Sequence, residues 1–364
     1  SFAESYIKPF GTIFLNLIKF IVVPIVLFSI MCGIISMSDI KKVGSIGLKT
    51  VVFYLCTTAF AVTIGLTGGN LFKGLFPVVA TTDLSYEAAE ATSFMDTLVN
   101  IFPSNFVSPM VEANMLQVIV MAIILGFAII LVGEKNVRVV NAFNDLNEIF
   151  MKCMEMILKL SPIGVFCLLC PVIAANGPAI IGSLAMVLLA AYICYVVHAV
   201  VVYSLTVGTL GGVSPLKFFK GMLPAIMFAF SSASSVGTLP INLECTEKLG
   251  AKREIASFVL PLGATINMDG TAIYQGVCAI FIASCYGIHL TLSQMLTIVL
   301  TATLASIGTA GVPGAGMVML AMVLTSVGLP VDGIALVAGV DRIFDMGRTT
   351  VNITGDAACT MVVS

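Results

Sequence analysis

Long apolar stretches separated by short polar links dominate the chain. Long apolar stretches cover residues 9–37, 50–76, 179–210 and 256–286, and a long amphipathic stretch covers residues 139–175. A helix needs about 20 apolar residues to cross the ~30 Å hydrocarbon core of a bilayer, so each stretch predicts a helix of membrane-crossing length. A further stretch, 98–132, contains Pro103 and Pro109 and therefore predicts helical pieces instead of one rod.

Two other apolar stretches are interrupted near their centres. Residues 215–243 contain the run SSASSVGTLP at 231–240, and residues 291–328 contain SIGTAGVPGAG at 306–316. Each half is too short to cross the hydrocarbon core. We therefore predict two helical hairpins that enter and leave the membrane on one side, with tips covered by protein or lining a water-filled cavity.

A span with a polar centre follows each hairpin. The span at 256–286 contains NMDGT at 267–271, where a glycine and a buried acid predict local unwinding, and the span at 330–364 carries a row of charged residues. A hairpin followed by such a span, twice in one chain, indicates an internal repeat. Paired Gly/Pro-interrupted segments in corresponding positions point to the midplane binding site of a transporter.

The basic residues orient these segments. Lys and Arg concentrate in the links at 41–49, 135–138, 217–220 and 248–253, whereas the links at 83–96, near 288 and near 330 lack them. Basic links tend to lie in the cytoplasm. The four basic links fall on one side only if the first hairpin opens to the cytoplasm and the second to the outside, so the two hairpins are predicted to be inverted.

Composition agrees with a membrane protein. The chain is 59% hydrophobic and only 10% charged, whereas soluble domains carry about 25% charged residues. The net charge of −2, without a basic patch, gives no support for a nucleic-acid partner. Cys167 and Cys170 have a C-x-x-C spacing but lie in an apolar run, so a metal or redox role is disfavoured. His198 and His289 are isolated in the sequence, and a structural role is the preferred interpretation.

The last span carries one polar stripe. Counted at 100° per residue, the positions within about 80° of one another on a helix are Asp341, Asp345, Arg348, Asn352 and Asp356. Ionisable residues at membrane depth cost roughly 2.5–3.5 kcal/mol and indicate a functional site. Either the charges neutralise one another, or, since acids outnumber bases, a cation completes the balance.

The residue types suggest what this site binds. Arg348 suits bidentate capture of a carboxylate, and Asp345, one turn earlier, suits an ammonium group. A zwitterion with an additional carboxylate fits both. The side-chain oxygens of Asn267, Asp269 and Asp356 suit a hard monovalent cation. The hydroxyls at 54–58 are interpreted first as ordinary helix packing.

Four segments carry a resemblance to a known family: the serine-rich run at 231–235, NMDGT at 267–271, SIGTAGVPG at 306–314 and DMGRTTVN at 345–352. Together they resemble the dicarboxylate/amino acid:cation symporters, the family of the archaeal glutamate transporter homologues and the excitatory amino acid transporters. The resemblance covers essentially the whole chain. It implies an all-α polytopic membrane fold with eight transmembrane helices, the first expected to be missing here, and two inverted re-entrant hairpins.

The resemblance also implies how the protomer is divided. A scaffold is expected at 1–40 and 81–176, including an extracellular link, and a transport domain at 41–80 and 177–364. The transport domain would move like an elevator through the plasma or inner cell membrane. A homotrimer is expected.

Site residues are carried over position by position. Arg348 would take the substrate's side-chain carboxylate and Asp345 its amino group. The other substrate-binding residues implied are Ser234, Ser235, Thr271, Val312, Gly316, Thr349 and Asn352. Three Na⁺ sites are implied, formed by Gly263, Asn267, Asn352 and Asp356, by Tyr54, Thr57, Thr58, Asn267 and Asp269, and by Thr265, Ser306, Ile307 and Thr309. Met268 would couple these sites to the substrate.

The chain departs from its apparent relatives at several positions. Ala233 stands where archaeal homologues have an arginine in the first hairpin, and Met346 stands where animal relatives have one. Arg342 is a candidate for the missing countercharge, approaching from another angle. Gln275 stands where animal transporters have a proton-carrying glutamate, so proton coupling through that position is not expected.

These observations predict a sodium-coupled importer of glutamate or aspartate, which is not an enzyme. Alternatives within the family are a neutral amino acid, cystine or a C4-dicarboxylate as substrate. Alternatives from other classes are an anion channel and an intramembrane aspartyl protease. The run TGD at 354–356 resembles a protease motif, but the partner Tyr-Asp pair is absent.

Overall fold

Helices account for all regular secondary structure in the described part of the chain. The computed structural model describes residues 3–36, 45–76, 99, 102–112, 114–132, 137–160, 163–164, 166–167, 170, 179–306 and 315–364. Three helical segments among these residues are long and apolar enough to cross a membrane: Ile46–Leu75, Gly182–Thr209 and Ile255–Cys285. The prediction of an all-α membrane protein is confirmed.

The helices are numbered here in chain order. They are α1 Lys8–Ser36, α2 Ser45–Phe72, α3 Ser108–Val111, α4 Met115–Val132, α5 Val137–Lys159, α6 Ala179–His198, α7 Ser204–Thr209, α8 Pro215–Ser232, α9 Ser235–Leu249, α10 Arg253–Ile266, α11 Asp269–Cys285, α12 Leu292–Ala305, α13 Ala315–Ser326, α14 Ile334–Ala338 and α15 Asp341–Val363. A π-helical turn, Ala199–Tyr203, joins α6 to α7.

Two predicted spans end differently in the structure. Helix α5 ends at Lys159 and does not continue without a break to 175. Pro162 follows closely in the sequence, and a proline disfavours helix in the residue before it. The predicted span at 330–364 is not one helix either, because the chain breaks at Gly339 and Val340 between α14 and α15.

The predicted unwinding at 267–271 is confirmed, over fewer residues. Helix α10 ends at Ile266, Asn267 is extended at φ −90° and ψ 105°, and α11 begins at Asp269. The acid at the start of α11 is favourable because a helix N-terminus carries positive partial charge. The two helices are called the broken helix below.

The first predicted hairpin has a tighter tip than the sequence suggested. Only Ala233 and Ser234 separate α8 from α9, and these two helices pack against each other. Ala233 adopts a left-handed conformation with φ 52°, and the Ser234 side chain caps α9 by accepting from the Gly237 N–H. Most of 231–240 is nevertheless helical, and the hydroxyls of Ser231 and Thr238 donate to the Phe228 and Ser234 carbonyls, so these polar groups are satisfied within their own helices. Re-entrant placement of this hairpin in a membrane stays a prediction.

The second hairpin is described only at its arms. Helix α12 ends at Ala305 and α13 begins at Ala315, and these two helices are in contact. The predicted tip residues 307–314 lie outside the described residues. A capping box formed by Thr291 and Gln294 starts α12.

The helices pack in two groups, and the second group contains the most buried helix, α11. Helix α1 packs against α4 and α5, whereas α2 packs against α6, α11 and α12. Every residue of α11 is buried, and α15 packs against α8, α9, α10 and α11. Gly65 on α2 and Gly276 on α11 allow these two helices to approach closely, because a Cβ on either glycine would meet the main chain of the other helix. The fold therefore brings the broken helix and α15 together at its core.

Candidate functional site

The polar stripe of α15 lies inside the protein. Its five members, Asp341, Asp345, Arg348, Asn352 and Asp356, are all buried, the most exposed at 5%. A charged side chain removed from water in this way needs compensating partners. The contacts of the stripe therefore define what the site can do.

Arg348 is held between two carboxylates and an aromatic ring. Its Nε donates to Asp345 Oδ1 at 2.8 Å, and Nη1 and Nη2 donate to Asp341 Oδ1 and Oδ2 at 3.0 and 3.4 Å. The guanidinium carbon lies 4.8 Å from the centre of the Tyr274 ring, a cation–π distance. Arg348 is therefore positioned by groups on both sides, and Asp341, whose role the sequence left open, is one of them.

Arg342 has a different environment from the one considered in the sequence. Its side chain is exposed, and Nη2 donates to the Ser232 carbonyl at 3.4 Å, at the end of α8. An arginine near a helix C-terminus is favourable because the last carbonyls carry negative partial charge. Arg342 thus contacts the first hairpin, while Arg348 is the countercharge of Asp341.

Close packing surrounds Arg348. A Cβ on Gly316, in the first turn of α13, would overlap the guanidinium, and a Cβ on Gly270 would overlap the Arg348 main chain. The start of the second arm of the second hairpin therefore lies directly against the proposed carboxylate-binding group. Gly316 and Arg348 are brought together as expected.

The other predicted substrate residues are less completely defined. Ser235, Thr271 and Thr349 are buried, and the Thr271 hydroxyl lies 3.9 Å from Met268 Sδ. Ser234 caps α9 at the hairpin tip. Val312 lies outside the described residues.

A second cluster joins the broken helix to α15. Asn267 Nδ2 donates to the Asn352 carbonyl at 3.0 Å and to Asp356 Oδ1 at 2.9 Å. A Cβ on Gly263 would meet Asp356 Oδ1 and the Tyr54 hydroxyl. The four residues predicted for the first sodium site therefore converge. Asn267 Oδ1 is buried and has no hydrogen-bond donor among the described residues, so it can accept a cation or a donor.

Met268 lies between this cluster and the predicted substrate residues. Its Sδ is 3.3 Å from Asn352 Nδ2 and within reach of the Thr271 hydroxyl. Asn352 Oδ1 accepts from the Gly270 N–H at 2.8 Å. These contacts connect the cluster around Asn267 and Asp356 with the region of Arg348.

Asp269 is the centre of a third cluster. Thr58 and Thr57 donate to its Oδ1 at 2.8 and 3.3 Å. Tyr203 and His198 contact its Oδ2 at 2.8 and 3.2 Å. The hydroxyls at 57 and 58 are therefore not merely helix packing, whereas the sequence interpretation missed Tyr203 and treated His198 as isolated. A polar His and Tyr inside the apolar span 179–210 were the available signal.

The remaining predicted sodium ligands either have other hydrogen-bond partners or lie outside the described residues. The Tyr54 hydroxyl donates to the Val259 carbonyl at 3.2 Å. In the third predicted sodium site, the Ser306 hydroxyl donates to the Thr303 carbonyl at 2.7 Å. The Thr265 side chain and residues Ile307 and Thr309 lie outside the described part, so the structure does not test that site.

The buried charges do not balance. Among the described residues, four buried aspartates accompany one buried arginine and one histidine. Among the described residues, the side-chain groups that hydrogen-bond to Asp269 and Asp356 are hydroxyls, an imidazole and an amide. Oxygen-rich sets of this kind suit hard cations, and buried acids in excess favour cation binding.

A helical membrane protein with a broken helix beside buried, unbalanced acids has the architecture of a secondary transporter. The sequence model of the sodium:dicarboxylate symporter family matches residues 2–364, and the chain belongs to this family. The family consists of transporters, not enzymes, so the protease alternative has no support.

Curated relatives agree over nearly the full length. The chain is 35% identical to the proton/sodium-glutamate symport protein of Bacillus subtilis (strain 168), with 99% of this chain and 86% of the relative covered. It is 36% identical to the proton/glutamate-aspartate symporter of Escherichia coli (strain K12), covering 99% and 85%. It is 33% identical to the C4-dicarboxylate transport protein of Rhodopseudomonas palustris (strain BisB18), covering 99% and 82%.

Proposed function

We propose that this protein is a sodium-coupled symporter that imports glutamate or aspartate across the cell membrane. The observation that carries the proposal is the buried Arg348, which lies beside Asp345 and against Gly316. One guanidinium and one carboxylate a single turn apart match the side-chain carboxylate and the ammonium of an acidic amino acid. The names of the B. subtilis and E. coli relatives support the same substrate class.

Substrate binding replaces an ion pair within the protein by ion pairs between the protein and the substrate. Without substrate, Arg348 pairs with both Asp345 and Asp341, and its contact with Asp345 is the ion pair that the substrate replaces. A substrate carboxylate on Arg348 and an ammonium on Asp345 replace that ion pair without leaving either charge buried alone. The remaining residues proposed for the substrate pocket are Ser234, Ser235, Thr271, Val312, Gly316, Thr349 and Asn352.

Sodium provides the balancing positive charge in this proposal. One ion is assigned to Gly263, Asn267, Asn352 and Asp356, and a second to Tyr54, Thr57, Thr58, Asn267 and Asp269. A third is assigned to Thr265, Ser306, Ile307 and Thr309. The orphaned Asn267 Oδ1 supports the first two. Met268, between Asn352 and Thr271, couples ion binding to substrate binding.

The two packing groups support an elevator mechanism. We assign residues 1–40 and 81–176 to a scaffold that forms a homotrimer, and 41–80 and 177–364 to a moving transport domain. Helix α1 packs mainly with α4 and α5, and α2 packs with α6, α11 and α12, so both substrate and ion residues belong to the second group. Both proposed hairpins also lie in the transport domain.

The C4-dicarboxylate alternative has one observation in its favour and one against it. A relative is named as a C4-dicarboxylate transport protein. A C4-dicarboxylate has no ammonium group, so it would compete with Asp345 for Arg348 and leave the buried acid without a new partner. A neutral amino acid has no second carboxylate for Arg348, and the second carboxylate of cystine comes with a second ammonium group for which this site has no proposed partner.

Uptake into proteoliposomes tests the proposal. Labelled aspartate and glutamate are expected to accumulate under an inward sodium gradient at constant pH, with weak competition from succinate and neutral amino acids. Arg348→Ala should abolish acidic-substrate uptake, whereas Arg253→Ala, at an exposed arginine, should not. Unchanged aspartate affinity in Arg348→Ala would remove Arg348 from the site, and sodium-driven uptake of succinate or a neutral amino acid alone would replace the substrate assignment.

A further inference from the structure

The two carboxylate oxygens of Asp269 have different kinds of partner. Oδ1 accepts from the threonine hydroxyls of Thr57 and Thr58. Oδ2 is contacted by the phenol of Tyr203 and the imidazole of His198. All five residues are buried, the most exposed at 3%. The carboxylate therefore has one face made of small hydroxyls and one face made of aromatic side chains.

The hydroxyl face is exchangeable. A threonine hydroxyl has one hydrogen and two lone pairs, and its hydrogen rotates to suit its neighbours. Thr57 Oγ1 lies 3.3 Å from Asp269 Oδ1 and 3.2 Å from the Tyr54 carbonyl, so its hydrogen can point to either oxygen. Turned to the carbonyl, the same hydroxyl offers a lone pair to a cation beside Oδ1.

The aromatic face is fixed by packing. An imidazole N–H points along its ring, so its direction is set by the ring. The rings of His198 and Tyr203 pack edge to face with centroids 4.8 Å apart. The Tyr203 hydroxyl also lies 3.1 Å from the Val351 carbonyl, and a Cβ on Gly355 would overlap it, so α15 confines that hydroxyl.

A local distortion of the helix brings these two rings together. Residues five apart on an α-helix lie about 140° apart and do not share a face. The π-helical turn Ala199–Tyr203 begins directly after His198. Its wider i→i+5 geometry turns Tyr203 towards the face of His198, and such turns occur frequently at functional sites.

We infer that Tyr203 and His198 are positioning residues for the proposed sodium site at Asp269. They hold Oδ2, so that Oδ1 stays turned to Thr57 and Thr58, where the cation enters. On ion binding the Thr57 hydroxyl turns its hydrogen to the Tyr54 carbonyl and offers a lone pair to the ion beside Oδ1, while the contacts to Oδ2 persist. This inference rests on the proposed sodium-coupled function.

Sodium titrations of uptake and of substrate-free binding test the inference. Tyr203→Phe, which removes only the hydroxyl, should raise the half-saturating sodium concentration about tenfold, the size expected for a lost hydrogen bond to a charged group. The substrate KM at saturating sodium should change by less than about twofold. His198→Leu should have the same effect, and His198→Gln should restore part of the affinity, because its amide again offers an N–H.

A matched control lies on the same helix. Tyr192→Phe also removes a phenol hydroxyl, one that donates to the Ile343 carbonyl at 2.6 Å, and it should leave the sodium curve unchanged. Wild-type sodium curves for both Tyr203→Phe and His198→Leu would overturn the inference, as would equal losses of maximal uptake without any shift in sodium affinity. If Tyr203→Phe does not fold, the comparison of His198→Leu with His198→Gln tests the inference. Uptake by the wild-type protein that does not depend on sodium would instead refute the proposed function.

Discussion

We predict that the negative charge of Asp341 weakens the binding of acidic substrates. A substitution that removes this charge should therefore strengthen substrate binding. The Asp341 carboxylate accepts from Nη1 and Nη2 of Arg348 at 3.0 and 3.4 Å, and Asp345 takes Nε. A guanidinium has five N–H donors, so two remain for the substrate. Asp341→Asn keeps an oxygen that accepts from the guanidinium but removes the negative charge.

The charge separation sets the size of the effect. Two carboxylates bound to different edges of one guanidinium lie roughly 7 Å apart, and at an effective dielectric constant of about 20 their repulsion is about 2 kcal/mol. Removing this repulsion strengthens substrate binding, but part of the effect is lost because a neutral amide holds Arg348 less firmly than a carboxylate does. The expected net result is a fall in the KM for aspartate or glutamate of about tenfold, corresponding to about 1.4 kcal/mol.

Initial rates of uptake at saturating sodium measure this KM. The control is Asp145→Asn, which removes the same charge at an exposed position on α5 and should change nothing. Competition by a neutral amino acid should stay weak in both variants, because Asp341 acts on the substrate's extra charge. An unchanged or increased KM in a folded Asp341→Asn protein would show that Asp341 mainly orients Arg348, and the electrostatic reasoning would be wrong.

Three further substitutions test individual contacts. Gly316→Ala should weaken acidic-substrate uptake while the protein still folds, since the end of the Arg348 side chain must move away from the added methyl group. Uptake and thermal unfolding in detergent separate the two effects. Asn267→Ala should raise the half-saturating sodium concentration at least about tenfold, because it removes the buried Oδ1 proposed as a sodium ligand together with the amide that holds Asp356; an unshifted sodium titration would contradict this. Thr291→Ala removes the capping box with Gln294 and should lower the free energy of unfolding by about 1 kcal/mol without changing KM, as followed by thermal unfolding and uptake.

Patterns with a strong physical cause were predictable from the sequence. Burial of the α15 stripe follows from charged residues at helical spacing inside an apolar span, and the break near Asn267 follows from a polar, glycine-containing run at membrane depth. Both signals are local. The resemblance to a known family predicted which of these residues form one site. In the structure, Asn267 contacts both Asn352 and Asp356.

Features that depend on three-dimensional register were not predictable. The pairing of Asp341 with Arg348 requires a side chain to reach across seven positions of a helix, and spacing alone does not choose between Arg342 and Arg348. The joint contact of His198 and Tyr203 with Asp269 depends on the π-helical turn that follows His198, and the apolar sequence gives no periodicity that predicts this turn. The short tip at Ala233 depends on a non-glycine residue in a left-handed conformation, which propensity disfavours.

The broken helix and α15 make each other's polar groups tolerable. The break frees main-chain groups that need partners in the protein interior. Asn352 accepts from the freed Gly270 N–H, and Asn267 returns a hydrogen bond to the Asn352 carbonyl and one to Asp356. An ion that draws on Asn267 or Asp356 therefore alters the partners of Asn352, whose amide also touches Met268. Coupling between ion and substrate then needs no large rearrangement inside the site, because the same few hydrogen bonds that compensate the break also connect the two proposed binding regions.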